Sequence, residues 1–440
     1  MFIITIWRCS SFIFDDVIVD DSFFQVDHKP YLSFPAVTIC NVNRFMENRI
    51  PADMNVNKLF DILGQIPDYE YYEDNDYDDD YELDDNKYQD ANISLDNYDD
   101  INFKDLYNQS GFNLNASLMR CDWKGKNRSC CARDFTPVFL PYYGKCYTFN
   151  HINDRRAFTQ NLAGIGNGLK IWINIKQEFY TEPYEGGHQE AGLQFLVHNE
   201  NDPPMIDVLG MAAPPGFHSY VAVRPSQFID LPNPYTECVS SCHSGYSRTR
   251  CLTICKGEFI LQACGCEPHG YQLQSGNRSC SLAETVNCVS EATQKFGSGT
   301  GNNCSTSCPY PCNQTTYESS VSMAVFPSEN QVHTLSDEAA SGSNYIDYDV
   351  EDERAAIADN IRKSWIILDI YFDQLTVTSY TQVPSMTWDA MLSDLGGQMG
   401  LFLGCSVITI AEILEYLIRK IYRFVTGYRP SNEVVAVINE

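Results

Sequence analysis

"LSDLGGQMGLFLGCSVITIAEILEYL", Leu392–Leu417, decides how the chain is read. From Met399 to Ile418 it offers twenty residues, mostly apolar. At about 1.5 Å of rise each, they match a hydrocarbon core of roughly 30 Å. The length predicts a membrane-spanning helix; the composition strains against it. Gly396, Gly397, Gly400 and Gly404 crowd the first half, and Glu412 and Glu415 stand in the second. Each charge near a bilayer centre costs on the order of 3 kcal/mol or more. A plain anchor has no reason to contain either feature.

The rest of the chain places that helix. With 440 residues and 44% apolar composition, the chain is long enough for a large core and more than one lobe. Eighteen cysteines lack metal-site spacing: Cys251/Cys255 are separated by three residues and Cys264/Cys266 by one, with no C-x-x-C and no H-x-x-x-H. They read as disulfides of an oxidising compartment, with no metal site. Seven N-x-[ST] sequons fall at Asn92, Asn108, Asn115, Asn127, Asn277, Asn303 and Asn313, all within the cysteine-bearing region. Residues 15–385 are therefore expected to be extracellular. After the helix, Arg419, Lys420, Arg423 and Arg429 mark a cytoplasmic tail over 421–440. No G-x-S-x-G occurs, so a hydrolase is excluded. "GIGNGLKIWINI", Gly164–Ile175, lacks the G-x-G-x-x-G spacing and precedes a strand-like run, so it reads as a turn and not a phosphate cradle. No enzyme, cofactor or nucleic-acid partner is expected.

"MFIITIWRCSSFIF", residues 1–14, is too short to span a membrane and lacks a cleavable signal's features. It reads as the outer end of a first membrane helix, or as a buried segment. "YLSFPAVTICNVNRF", Tyr31–Phe45, predicts a strand, with Pro35 at its start or marking an edge. Residues 68–100 hold 15 acidic residues against one lysine, half of the formal −28. Repulsion and a shortage of apolar residues predict a disordered, solvated insert; the alternative is a lure for cations or basic peptides, with seven tyrosines open to sulfation. Cysteines crowd from Cys238 to Cys312, and the i,i+4 spacing of Cys251 and Cys255 puts both on one helix face. Ser364–Tyr380 reads as one long strand leading toward the membrane.

These residues carry a resemblance. "FPAVTICN", "YGKCYTFN", the cysteine array ending in "PCNQTTY", and "GGQMGLFLGCSVITIAEILEYL" stand in the order of the degenerin/epithelial sodium channel/acid-sensing channel superfamily. The resemblance covers nearly the whole chain, without the family's cytoplasmic N-terminus. It implies an α+β, disulfide-rich ectodomain with a β-sheet palm, a finger holding the acidic insert, and a helical thumb over 236–320. It also implies a trimer with two further homologous subunits at the plasma membrane, in contact with lipid. Residues 386–420 would supply the pre-pore segment and second membrane helix, which lines a sodium-favouring, amiloride-sensitive path; the permeant ion is Na⁺.

In that reading Gly404-Cys405-Ser406 is an extended selectivity belt, tolerable at membrane depth because its carbonyls face ions. Ser393 holds the position where bulk keeps relatives open. Gly397 and Gly400 line the path above the belt, and Glu412 and Glu415 form carboxylate rings below it. The implied disulfides are Cys40–Cys146, Cys121 to Cys130 or Cys131, Cys238–Cys312, Cys251–Cys308, Cys255–Cys304, Cys264–Cys288 and Cys266–Cys280. Cys242 and the spare of Cys130/Cys131 are left over. The stimulus stays open between peptide, proton, force and constitutive activity. A different class, a single-pass cysteine-rich receptor or inhibitor ectodomain, is what a non-conducting helix would imply.

Overall fold

The computed structural model describes residues 21–52, 54, 102–125, 128–151, 158–182, 188–233, 235–240, 245–271, 273, 277–297, 304–332, 334, 350–384, 388–403 and 407–426. The acidic insert, residues 1–14, Gly404–Ser406, Cys242 and the sequons at Asn92, Asn127 and Asn303 lie outside them. The chain divides into a large unit over residues 23–381 and a second unit that contains two helices near the C-terminus.

Among the described residues fifteen strands form, all wholly or mostly within the large unit: β1 (Asp21–His28), β2 (Leu32–Ser33), β3 (Ala36–Asn41), β4 (Leu118–Trp123), β5 (Arg128–Ser129), β6 (Phe135–Leu140), β7 (Gly144–Phe149), β8 (Thr159–Gln160), β9 (Leu169–Asn174), β10 (Leu193–His198), β11 (Met211–Ala213), β12 (Phe217–Ile229), β13 (Asn313–Val325), β14 (Trp365–Phe372) and β15 (Thr376–Val383). One sheet runs β1-β15-β12-β14-β9-β4-β5 with β13 on β12; a second runs β11-β10-β3-β7-β6; β2 and β8 form a short pair. With the helices below, the fold is α+β.

Pro35 starts β3 and does not mark an edge: the strand pairs with β10 on one side and β7 on the other, and all six residues are buried. A strand covered on both faces loses its polar alternation. β9 keeps it, burying Leu169, Ile171 and Ile173 while Lys170 and Trp172 turn to the other face. The glycine-rich stretch before β9 is a turn, with Gly166 at φ +77°. Gly168 brings the chain so close to β14 that a Cβ would sit 1.9 Å from the Ile370 carbonyl oxygen. Leu169, Ile171, Ile173, Val221, Val223, Leu368 and Ile370 join Phe34, Phe149 and Phe195 in one core between the two large sheets.

The expected single strand over Ser364–Tyr380 is corrected. Ser364 closes a helix, Val350–Ser364, and the strand is cut into β14 and β15. Both run parallel to β12 along one edge: Val223 faces Phe372, and Ser226 faces Thr378. The lane therefore holds three more residues than β12 does. Pro225 stands in β12 at this interruption, where it has no N–H to give a ladder. The excess is pinned locally, by Asp373 N–H donating to the Val223 carbonyl at 3.1 Å and by Arg224 donating to the Asp373 carboxylate.

The cysteine-rich lobe is organised by the helix Arg248–Cys264, whose N-terminus is capped by Ser247 and whose C-terminus turns at Gly265, φ +71°. Cys251 and Cys255 on one face bond to Cys308 and Cys304; Cys264–Cys288 and Cys266–Cys280 close the far end, and Cys238–Cys312 the near one. Between them Ile260, Tyr271, Val289 and Ala292 make a small core. Bridges of this kind contribute roughly 2–4 kcal/mol each by restricting the unfolded chain.

The second unit holds two helices, Trp388–Leu403 and Val407–Thr426, on either side in sequence of the belt that the resemblance implies, which lies outside the described residues. Among the described residues no helix is long and apolar enough to cross a membrane. The first, at 16 residues, reaches only about 24 Å. The second is long enough but carries Glu412, Glu415, Arg419, Lys420 and Arg423.

Candidate functional site

The site read from the sequence lies on these two helices. On the first, Ser393, Gly397 and Gly400 follow an i, i+4, i+7 spacing and share one face. A Cβ added at Gly396, Gly397 or Gly400 would meet nothing within 4 Å. Internal packing of this chain therefore does not call for glycine there. The implied belt lies in sequence between Leu403, where the first helix ends, and Val407, where the second begins.

The second helix is amphipathic. Glu412, Glu415, Arg419 and Arg423 fall at i, i+3, i+7 and i+11, one stripe along the helix, while Ile410, Leu414, Leu417 and Ile421 occupy the opposite side. Within the stripe the two glutamates differ. The Glu415 carboxylate accepts a hydrogen bond from the Arg419 guanidinium one turn on. Glu412 forms no ion pair with a described residue.

The structure joins Cys40 to Cys146 and Cys121 to Cys130, which leaves Cys131 as a free, exposed thiol. The described sequons Asn108, Asn115, Asn277 and Asn313 are all exposed.

Sequence reasoning missed two buried charge clusters. Arg44, just after β3, donates from Nε and Nη2 to both Glu182 oxygens at 3.0 and 2.9 Å, and its backbone N–H donates to the same carboxylate at 2.8 Å. Both side chains are almost wholly buried. On the large sheet, Asp369 of β14 is fully buried, with Lys170 of β9 and His218 of β12 each 3.8 Å from its Oδ2. An acid inside the apolar run "WIILDIYF" was the available signal for the second cluster. Nothing in the neighbourhood of Arg44 pairs it with a residue 138 positions away.

His198, at the end of β10, has both ring nitrogens engaged: Nδ1 donates to the Asn199 carbonyl at 2.9 Å, and Nε2 accepts from the Thr38 hydroxyl at 2.9 Å. Burial pushes its pKa down to about 4, and does the same to His269. A base whose folded pKa is lowered stabilises the fold fully above its unfolded value. That contribution is lost as pH falls from about 6.5 toward 4. The melting temperature of the purified chain should therefore drop between pH 7 and 4.5, with roughly 1–3 kcal/mol at stake per histidine. His198→Gln should flatten the profile. A profile unchanged by that substitution would remove His198 as the cause.

Comparison with known proteins gives one answer throughout. The sequence model of the family described as "Amiloride-sensitive sodium channel" matches residues 4–416. Acid-sensing ion channel 4 of Mus musculus and of Homo sapiens are each 29% identical over 400 residues, covering 88% of this chain and 66% of theirs. Acid-sensing ion channel 1C of Danio rerio is 31% identical over 399 residues, 88% of this chain and 70% of that one. The bile acid-sensitive ion channel of Mus musculus is 29% identical over 406 residues, covering 90% and 76%. The chain thus spans just under two thirds of the length of the first two relatives.

Proposed function

The chain belongs to the amiloride-sensitive sodium channel family, and from that premise we propose that it is one subunit of a sodium-favouring cation channel in the plasma membrane. Three subunits surround an axis, and residues 386–420 of each line the ion path. Residues 15–385 are extracellular and 421–440 cytoplasmic. The observation that carries this reading is the helix pair Trp388–Leu403 and Val407–Thr426 flanking Gly404-Cys405-Ser406. Neither helix alone suits lipid. An extended belt between two helices would suit a water-filled axis, where freed carbonyls meet ions. The glycines at 397 and 400 leave room on the face that three neighbours share, and amiloride-type blockers would lodge near Gly400.

Because the stimulus is unassigned, the test is a variant that does not need one. Ser393→Phe should prop the pore open and give a constitutive current in a voltage-clamped cell. Its reversal potential should follow external Na⁺, and amiloride should reduce it. Surface-expressed Ser393→Phe without current would favour a non-conducting receptor.

A further inference from the structure

We infer that the disulfide held by Cys121 is exchangeable, passing from Cys130 to the neighbouring Cys131 without any outside oxidant. The inference is independent of the channel reading. Three cysteines meet here, not one. Cys121 of β4 is bonded to Cys130, nine positions on, and Cys131 follows as an exposed thiol. A thiolate attacks one sulfur of a disulfide and releases the other. Geometry chooses which sulfur is attacked. Attack at Cys130 would bond adjacent residues, whose Cα atoms stand about 3.8 Å apart across a trans peptide, short of the roughly 4.4–6.8 Å a disulfide prefers. Cys121 and Cys130 meet that range at 5.0 Å, so the productive attack of Cys131 falls on Cys121 Sγ. The Cys121–Cys131 bond forms, the Cys121–Cys130 bond breaks, and Cys130 leaves as the thiolate. The proton that Cys131 gives up is taken by Cys130, and no electrons are gained or lost.

The arm that carries the two cysteines is held lightly enough to allow this. Among the described residues β5 ends its sheet, and its two residues pair with β4 alone, Ser129 facing Asp122 and Arg128 facing Trp123. One more backbone bond, from the Cys130 N–H to the Cys121 carbonyl at 3.1 Å, extends that pairing. A sheet edge with so few bonds opens locally at little cost. Exchange offsets the register of the arm on β4 by one residue. The turn before β5 can accept the offset, because Lys124 and Gly125 already lie at φ +55° and +67°, the conformations from which bulges are built. On the exposed side, Cys131 is kept in place by its own N–H, which donates to the Asp134 carboxylate at 2.9 Å. The closed loop grows by a single residue, so closure entropy hardly separates the two bonds. Packing does separate them. Cys130 lies against the main core and Cys131 is exposed, which makes Cys121–Cys130 the major form and Cys121–Cys131 the minor one.

The experiment uses the full chain at the cell surface. Mild acid stops exchange, a maleimide labels free thiols, and peptide mapping reads the bonds. Incubation without oxidant should divide the label between Cys131 and Cys130. The Cys130 share should rise with time, and faster near about pH 8 than near about pH 6, because the thiolate is the attacking species. Blocking Cys131 with maleimide beforehand should freeze the map at Cys121–Cys130. Cys130→Ser should form Cys121–Cys131 with neither thiol open to label, whereas Cys130→Ser/Cys131→Ser should leave Cys121 free to react once the chain is unfolded. Should Cys130→Ser fail to reach the surface, the map of the parent decides alone. Label confined to Cys131 at every time and pH overturns the inference. So does a Cys130 label that appears equally after Cys131 is blocked, a Cys130→Ser chain with both remaining thiols free, or a parent whose Cys131 is bridged to any cysteine other than Cys121.

Discussion

Gly404→Val is expected to abolish sodium current while leaving the subunit at the cell surface. In the proposed channel, the valine would enter where three copies of Gly404-Cys405-Ser406 are expected to converge. A narrow ion path formed by backbone carbonyls has no volume for three isopropyl groups, and each would also push water off the carbonyls that replace an ion's hydration shell. Folding should not suffer, because 404–406 lie outside the large unit that holds the core and the seven disulfides. The companion measurement separates the two carboxylates. Glu412→Gln should lower cation flux several-fold, whereas Glu415→Gln should do less, because Arg419 already compensates Glu415 within its own helix. A thiol-reactive cation should block through Cys405, and Cys405→Ser should remove that block. These currents are to be recorded in the Ser393→Phe background, with surface biotinylation run alongside. If Gly404→Val and Glu412→Gln both conduct like the parent, this segment does not line the path and the receptor reading replaces the channel.

The parts of the fold legible in the sequence are those set by local chemistry. "FPAVTIC" announces β3 through its apolar, β-branched run, and "LKIWIN" announces β9 through strict alternation. Cys251 and Cys255 announce a helix face through their spacing alone. What stayed hidden depends on partners distant in sequence. The cut between β14 and β15 reflects Pro225 on a strand that lies 140 or more residues earlier. The choice of Cys130 over Cys131 depends on which of two adjacent sulfurs faces β4. In the segment Leu392–Leu417 and just beyond it, composition marked the strain, but the apolar count hid the consequence: Glu412, Glu415, Arg419 and Arg423 stand on one side of a helix whose opposite side is apolar. The ring contacts of Tyr380 with Phe24 and Phe228 join strands whose sequence positions span residues 24 to 380. No local pattern contains them.

Glu182→Ala is expected to be strongly damaging to the large unit. It removes the carboxylate to which the Arg44 guanidinium donates twice, and Arg44 is almost wholly buried and cannot shed its proton. Removing one partner of a buried ion pair costs about 3–5 kcal/mol, because the remaining charge stays desolvated and uncompensated. Two further donors lose their acceptor at the same time: the Arg44 backbone N–H at 2.8 Å and the His188 backbone N–H at 3.3 Å. Set against a typical stability of roughly 5–15 kcal/mol, that loss should lower the melting temperature sharply and keep most of the protein from the cell surface. Glu182→Gln should be intermediate, since the amide oxygen still accepts while the charge is gone. Arg44→Met/Glu182→Leu should recover much of the loss, because an apolar pair of similar volume leaves nothing buried and charged. The Arg278–Glu284 pair is the control: the guanidinium and the Ser281 backbone N–H hold the Glu284 carboxyl down to about 2, but the pair is open to solvent, and Glu284→Ala, which loses that pair and one capping bond, should change melting far less than Glu182→Ala. Equal effects of Glu182→Ala and Glu284→Ala would show that the Arg44 guanidinium finds compensation elsewhere, and the argument from burial would fail.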